Sequence, residues 1–252
     1  MEVVPSRMDH ETQSHTLWQT LGLHLIPGAL ITAFYFLVAP PFLRAGYPAQ
    51  MALLLAILFI LIPFELGYLF YLGLKRNGRL SLEGIVLYRE PLPLWQNLLF
   101  VPLLLVWSFA VFFALISLDN TLIQTLFAWF PDWTLPSAFL DNLGQYSSPA
   151  LPVTFLFGLV FNGVAGPVVE ELYFRGFLLP RIPASPRWAP LVNVLLFSLY
   201  HFFSPWQNLT RILALVPLVY LVAWKKNIYL SILVHCLLNT LGTLSILALV
   251  PR

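Results

Sequence analysis

Charge is what this sequence has least of. Asp, Glu, Lys and Arg make up 10% of its 252 residues, while hydrophobic residues make up 59% and the mean hydropathy is +0.82. A soluble domain carries about 25% charged residues. A chain this short of charge cannot cover its own surface in water, so a water-soluble globule is excluded and hydrocarbon must surround much of it. Cysteine is nearly absent. The lone Cys236 lies inside an apolar run, which excludes a disulfide framework and leaves the redox compartment open. The net charge is only +2 and the basic residues sit in loops rather than in a stripe, so nucleic-acid binding has no support. The start, Met1 to Thr16, is polar and mixed in sign. A cleavable signal would be basic and then at once apolar, so the first apolar segment reads as a retained anchor. Internal repeats, low-complexity tracts and long linkers are missing too. Residues 1–252 therefore read as a single integral membrane domain.

Long apolar runs are what remains. They occur near Leu17 to Val38, Met51 to Leu74, Leu98 to Leu118, Leu151 to Leu179, Leu191 to Phe203, Ile212 to Trp224 and Ile228 to Val250. A membrane-spanning helix needs roughly 20 such residues. The fold class expected is an all-α polytopic transmembrane bundle of about seven spans, or eight if the run Leu151 to Leu179 breaks in two. Thr121 to Phe130, apolar but short, is expected to lie at the interface. Basic residues mark the cytoplasmic side of short loops. Lys75, Arg76, Arg79 and Arg89 share one loop, Arg181 and Arg187 another, and Lys225 and Lys226 a third. With seven spans these fall on one side together with Arg7. Arg44, Arg211 and Arg252 fall on the other, with an acidic loop holding Asp119, Asp132 and Asp141. The N-terminus is thus expected in the cytoplasm and the C-terminus opposite.

Seven ionisable residues fall where charge is costly: His24, Glu65, Glu170, Glu171, Arg175, His201 and His235. Each costs on the order of 2.5–3.5 kcal/mol at bilayer depth and tends to face a polar interior. Glu171 and Arg175 are four apart and share a helical face, so they can pair. Glu170 points about 100° away and lacks that neighbour, which gives adjacent carboxylates different environments. Gly166-Pro167 suits a helix start or kink, and a start would set both acids in the first turn, where the dipole favours anions. Phe197 and His201 are one turn apart, so the aromatic ring can pack on the imidazole. His235 and Asn239 are also one turn apart and aim two donors the same way, as an oxyanion site requires. Each cluster alone also fits helix–helix glue. Glu65 and His24 lack a partner at helical spacing and read as packing or interfacial residues.

Glu-Glu-x-x-x-Arg at 170–175, Phe-x-x-x-His at 197–201 and His-x-x-x-Asn at 235–239, in that order on three membrane segments, resemble the CPBP family. That family contains the CAAX prenyl endopeptidases, the bacteriocin-processing and self-immunity proteins and the abortive-infection proteins. The resemblance covers roughly Leu151 to Leu249, a catalytic core; residues 1–150 match it only in being hydrophobic helices. It implies an intramembrane endopeptidase in which Glu170 is the general base on a buried water and His201 orients that water. His235 and Asn239 would stabilise the oxyanion, Glu171 and Arg175 would hold the helix in register, and Phe197 would fix the His201 ring. No cofactor is expected. The rival form of the same enzyme holds a catalytic zinc on Glu170, His201 and His235. The absence of His-Glu-x-x-His, and an Asn239 better suited to an oxyanion than to zinc, weigh against it. The partners implied are membrane lipids and a peptide or protein substrate, lipidated or membrane-anchored. A proton-coupled transporter would repeat interrupted helices in both halves, whereas the polar residues here crowd into the second half. A non-catalytic scaffold or immunity protein would need the bundle but not the reactive groups.

Overall fold

The computed structural model describes residues 14–250, so Arg7 and Arg252, used above in the charge comparison, lie outside it with most of the polar start. Seven helical rods follow one another: α1 (Leu17–Arg44), α2 (Gln50–Asn77), α3 (Leu94–Gln124), α4 (Ala150–Arg181), α5 (Ala189–Tyr200), α6 (Asn208–Lys225) and α7 (Ile228–Ala248). Among the described residues there is no strand, only an isolated bridge between Arg89 and Asn227. α1 begins where the local chemistry dictates. The Thr16 hydroxyl accepts from the Gln19 amide, and the Gln19 side chain accepts from the Thr16 amide, a reciprocal cap.

Six of the rods, with α6 lengthened by a 3₁₀ turn at Pro205–Gln207, are long and apolar enough to cross a membrane. α5 is not. Its 12 residues rise about 18 Å, against a hydrocarbon core of about 30 Å. The expected seven spans are therefore six full ones and one helix that reaches part way. The run Leu191 to Phe203 is apolar beyond the helix itself, which ends at Tyr200 with Phe202 and Phe203 in the turn that follows. α3 starts at Leu94 and continues to Gln124, so Thr121 to Gln124 are its last turn and Thr125 to Phe130 follow outside the helix.

α4 does not break in two. Gly166 and Pro167 sit inside a continuous helix, flanked by wide π-type turns at Gly158–Ala165 and Glu171–Leu178. Proline lacks an N–H and crowds the carbonyl four residues back, and a widened turn relieves that conflict without ending the rod. The acids at 170 and 171 are consequently mid-helix, and the dipole contribution expected at a helix start is absent. α2 carries a similar π segment, Ile57–Leu66, around Pro63.

The His15 amide donates to the Arg181 carbonyl, and the Ile228 amide to that of Tyr88. These bonds gather the start of α1, the loop after α2, the end of α4 and the α6–α7 turn at one end of the bundle. The three basic loops all lie there. At the other end the Ser147 amide donates to Gly46, near Arg44. Two expected loop charges prove to be internal: Asp119 and Arg211 are both buried. Large apolar side chains such as Phe59, Phe113 and Leu156 face outward, as hydrocarbon-facing positions do.

Lipid tails are as apolar as leucine, so fit and polar ties hold such helices together rather than hydrophobic burial. One such close fit lies where α5 ends. A Cβ on Gly28 would stand 2.0 Å from the Tyr200 carbonyl oxygen, so only glycine admits this crossing of α1 and α5. The ties are specific. Asn193 of α5 donates its amide to the Phe174 carbonyl at 3.0 Å and lies 3.2 Å from His24 Nε2. The His24 Nδ1–H is directed to the Thr20 carbonyl at 2.7 Å, leaving Nε2 to accept from Asn193. His24 is thus a fully buried link between α1 and α5, not an interfacial residue.

Candidate active site

α4, α5 and α7 converge on a cluster of aromatic and ionisable side chains. On α4, Arg175 Nε lies 3.3 Å from Glu171 Oε2, both side chains almost fully buried. The other Glu171 oxygen, Oε1, is 2.9 Å from Nδ1 of His235 on α7. One carboxylate thereby serves a guanidinium within its own helix and an imidazole across the interface. Nε2 of His235 then faces Glu170 Oε2 at 3.8 Å. That distance is beyond hydrogen-bond range, so the edge between His235 and Glu170 is aligned but not closed.

His201 is reached from another direction. α5 ends at Tyr200, and His201 caps it with a non-helical backbone. Its Nδ1 lies 2.8 Å from the Phe197 carbonyl. A carbonyl only accepts, so Nδ1 carries the proton and Nε2 is left as an acceptor for a water. Phe197 joins the pieces. Its ring meets the His201 ring edge-on at 4.9 Å and the His235 ring at 6.1 Å. The Arg175 guanidinium stacks over the same ring at 3.9 Å. Phe197 therefore does more than fix His201: it also supplies the face on which a buried cation rests.

The irregular chain after α5 needs its own support, because unpaired backbone at membrane depth is costly. Arg211 provides it. Its guanidinium reaches the Ser204 hydroxyl at 2.9 Å, the Ser198 carbonyl at 3.4 Å and the Asn208 side-chain oxygen at 3.3 Å. The residue read as a loop charge is the brace of the His201 turn. Beside it, Thr210 donates to Asp119 at 2.6 Å, which explains why that acid too is internal.

Asn239 follows His235 by one turn on α7, but its amide is engaged elsewhere. Nδ2 donates to the Asn162 carbonyl at 3.0 Å, in the wide turns of α4. Glu65, a fully buried acid of α2, accepts from the Tyr200 hydroxyl at 3.0 Å, and its second oxygen has no partner among the described residues. Tyr200 neighbours His201 in sequence, and their rings are 4.9 Å apart, so Glu65 backs the site from behind. Local spacing in the sequence does not mark Glu65, Tyr200, Arg211 or Asn162 as parts of a site. The signal for Glu65 was present, an acid inside an apolar run. Its partner is 135 positions away, and no local spacing reveals it.

The zinc set of Glu170, His201 and His235 can be tested on the same side chains. Among the described residues no three His, Cys, Asp or Glu side chains are disposed to hold one ion. His235 commits Nδ1 to Glu171, and His201 commits Nδ1 to a carbonyl. A metal-ligating histidine makes the same kind of bond through its second nitrogen, and the Nε2 of each ring stays open.

Residues 152–241 match the family model described as type II CAAX prenyl endopeptidase, Rce1-like. The match takes in α4 to α7, including every residue from Glu170 to Asn239 discussed above, and leaves Glu65 and α1 to α3 outside it. No curated protein and no solved structure gives a significant match. The match to the Rce1-like, type II CAAX prenyl endopeptidase family model is consistent with the CPBP family that the three motifs resemble.

Proposed function

We propose that this protein is an intramembrane endopeptidase that hydrolyses a peptide bond of a membrane-associated peptide or protein, using a water activated by Glu170 and His201. The observation that carries this reading is the alignment of Glu170, His235 and Glu171 across the α4–α7 interface, with Nε2 of His235 facing Glu170 across 3.8 Å. A peptide carbonyl is a poor electrophile, so water must lose a proton as it attacks while donors meet the charge appearing on oxygen. Glu170 takes that proton. His201, its Nδ1–H spent on Phe197, accepts the second hydrogen of the same water through Nε2 and orients it. The oxyanion forms at the open edge of His235, where the doubly protonated ring, its Nδ1–H held by Glu171, donates Nε2–H to it, and Asn239 adds a donor by turning from Asn162. Glu170 then returns its proton to the amine as the C–N bond breaks.

Glu171, Arg175 and Phe197 position these groups without touching substrate. Asn239, a poor zinc ligand but a good oxyanion donor, favours this mechanism over zinc-assisted hydrolysis. The basic loops favour a cytoplasmic position for the end of the bundle that holds the start of α1. From the α4 end at Arg181, Glu170 is about 16 Å deep at 1.5 Å per residue. That depth suits a substrate arriving from the cytoplasm or sideways from lipid.

The test compares membranes holding wild type with membranes holding Glu170→Gln and sequences the new protein termini. Both chains should insert equally. Termini present only with wild type support the reading and identify the substrate. Identical sets of termini contradict it and favour a non-catalytic scaffold.

A further inference from the structure

The basic end of the bundle contains a cavity of about 1360 Å³, separate from the cluster just described, between the start of α1, the end of α2, the loop after it and the end of α4. Four cations line it, Lys75, Arg76, Arg79 and Arg181, against one acid, Glu83. Among the described residues only Arg79 has a carboxylate, Glu83 at 3.1 Å. Arg76 and Arg181 instead turn toward the same acceptor, the Gly84 carbonyl, at 2.8 and 3.4 Å. Two guanidiniums sharing one neutral oxygen, with no acid within ion-pair range among the described residues, repel each other unless an anion joins them. Arg181 is pinned there by its bond to the Phe177 carbonyl at 2.7 Å. His15 adds a polar ring edge-on to Phe177, with a buried Nδ1 that has no partner among the described residues.

We propose that this cavity binds the phosphate of an anionic phospholipid headgroup. Guanidinium forks match phosphate oxygens in pairs, and Lys75 adds a point charge. The surroundings point to a lipid rather than a soluble phosphate. Lys75 and Arg76 form the last turn of a membrane-crossing helix. Tyr68 and Leu72 floor the cavity, and Tyr71 and Leu74, exposed on the same helix, continue that apolar surface toward hydrocarbon. Basic pockets at the ends of spans meet anionic headgroups in this way. The proposal does not depend on the peptidase reading, since none of these residues belongs to the cluster around Glu170.

The test titrates the full-length protein in neutral detergent with short-chain phosphatidylglycerol, phosphatidylcholine and inorganic phosphate. Native mass spectrometry counts bound lipid, and the thermal midpoint reports stabilisation. Phosphatidylglycerol should bind about tenfold more tightly than phosphatidylcholine and raise the midpoint. Lys75→Gln with Arg76→Gln, both in an exposed turn, should remove that preference while leaving the midpoint without lipid unchanged. Arg181→Gln is a second probe, interpretable only if its midpoint without lipid is preserved. Equal binding of the two lipids, or an undiminished preference in the double variant, overturns the proposal. So does inorganic phosphate that saturates the site and is not displaced by phosphatidylglycerol. A preference seen only after Asp9 and Glu11 are neutralised would also overturn it, making the chain's own acidic start the occupant.

Discussion

Glu171 and His235, 64 positions apart in the chain, meet at 2.9 Å between Oε1 and Nδ1. This contact changes the division of labour expected from the motifs. Glu171 holds Arg175, as its spacing predicts, but it also sets the direction of the imidazole that faces Glu170. Glu171→Gln should lower kcat by about ten- to a hundredfold, the usual cost of losing an orienting partner, with KM little changed. Glu170→Gln should reduce turnover to background. Glu171→Ala, which strands Arg175 in the interior, should destabilise by about 3–5 kcal/mol. Thermal midpoints beside steady-state kinetics separate the two effects.

Phe197 bears Arg175 on its face at 3.9 Å and His201 at its edge. Phe197→Leu should cost about 2 kcal/mol in lost cation–π contact, the figure for a desolvated pair. It should also slow cleavage by loosening His201. Phe197→Trp keeps the ring face and should retain more stability than leucine if its bulk is accommodated. Denaturation in detergent distinguishes an aromatic requirement from simple filling of volume.

Arg211 spans Ser198, Ser204 and Asn208 with one planar group. Lysine offers a single flexible ammonium and cannot reach these positions together. Arg211→Lys should therefore open the turn. Hydrogen exchange should rise first at the Ser204 amide, which donates to the His201 carbonyl at 2.9 Å. Unchanged protection there would show that the turn supports itself.

Glu65 and Tyr200 form a buried pair at 3.0 Å. Tyr200→Phe removes the one donor to Glu65 among the described residues and should destabilise by about 1–3 kcal/mol, because a buried acceptor is left unmet. Adding Glu65→Leu should recover part of that loss, since replacing both partners by apolar groups is nearly neutral. A double-mutant cycle reads the coupling directly; simple additivity would show that the pair is incidental.

His15 lies just ahead of α1, outside the spans. Burial of its ring, and secondarily the nearby Arg181 charge, lower its pKa from 6.5 to about 4. A base whose folded pKa is depressed takes up its proton more readily when undocked. The docked start of α1 should therefore weaken as pH falls from about 6.5 toward 4. Arg181→Gln should move the His15 titration upward. Ring-resolved NMR of the labelled protein follows both.

The helical bundle was legible because hydrocarbon demands long apolar runs and loops collect the charge. Pairings one turn apart were legible for the same local reason: Glu171 with Arg175, and Phe197 with His201. What escaped depends on how rods face one another. The wide turns of α4 and α2 change which sides of those helices meet their neighbours, and no hydropathy pattern reports them. His235 with Glu171, Tyr200 with Glu65 and Asn239 with Asn162 are contacts of that kind. Arg211 and Asp119 were misplaced because they sit at the edges of apolar runs, where composition cannot tell a loop charge from a buried brace.

The most direct measurement follows cleavage in liposomes of a membrane-anchored peptide drawn from the termini found with wild type, in water labelled with heavy oxygen. Wild type should place the label in the new carboxylate, while Glu170→Gln and His201→Ala, inserted to the same level, should produce no cleavage. Turnover by Glu170→Gln at the wild-type rate would contradict the account, because the reacting water would then owe nothing to that carboxylate.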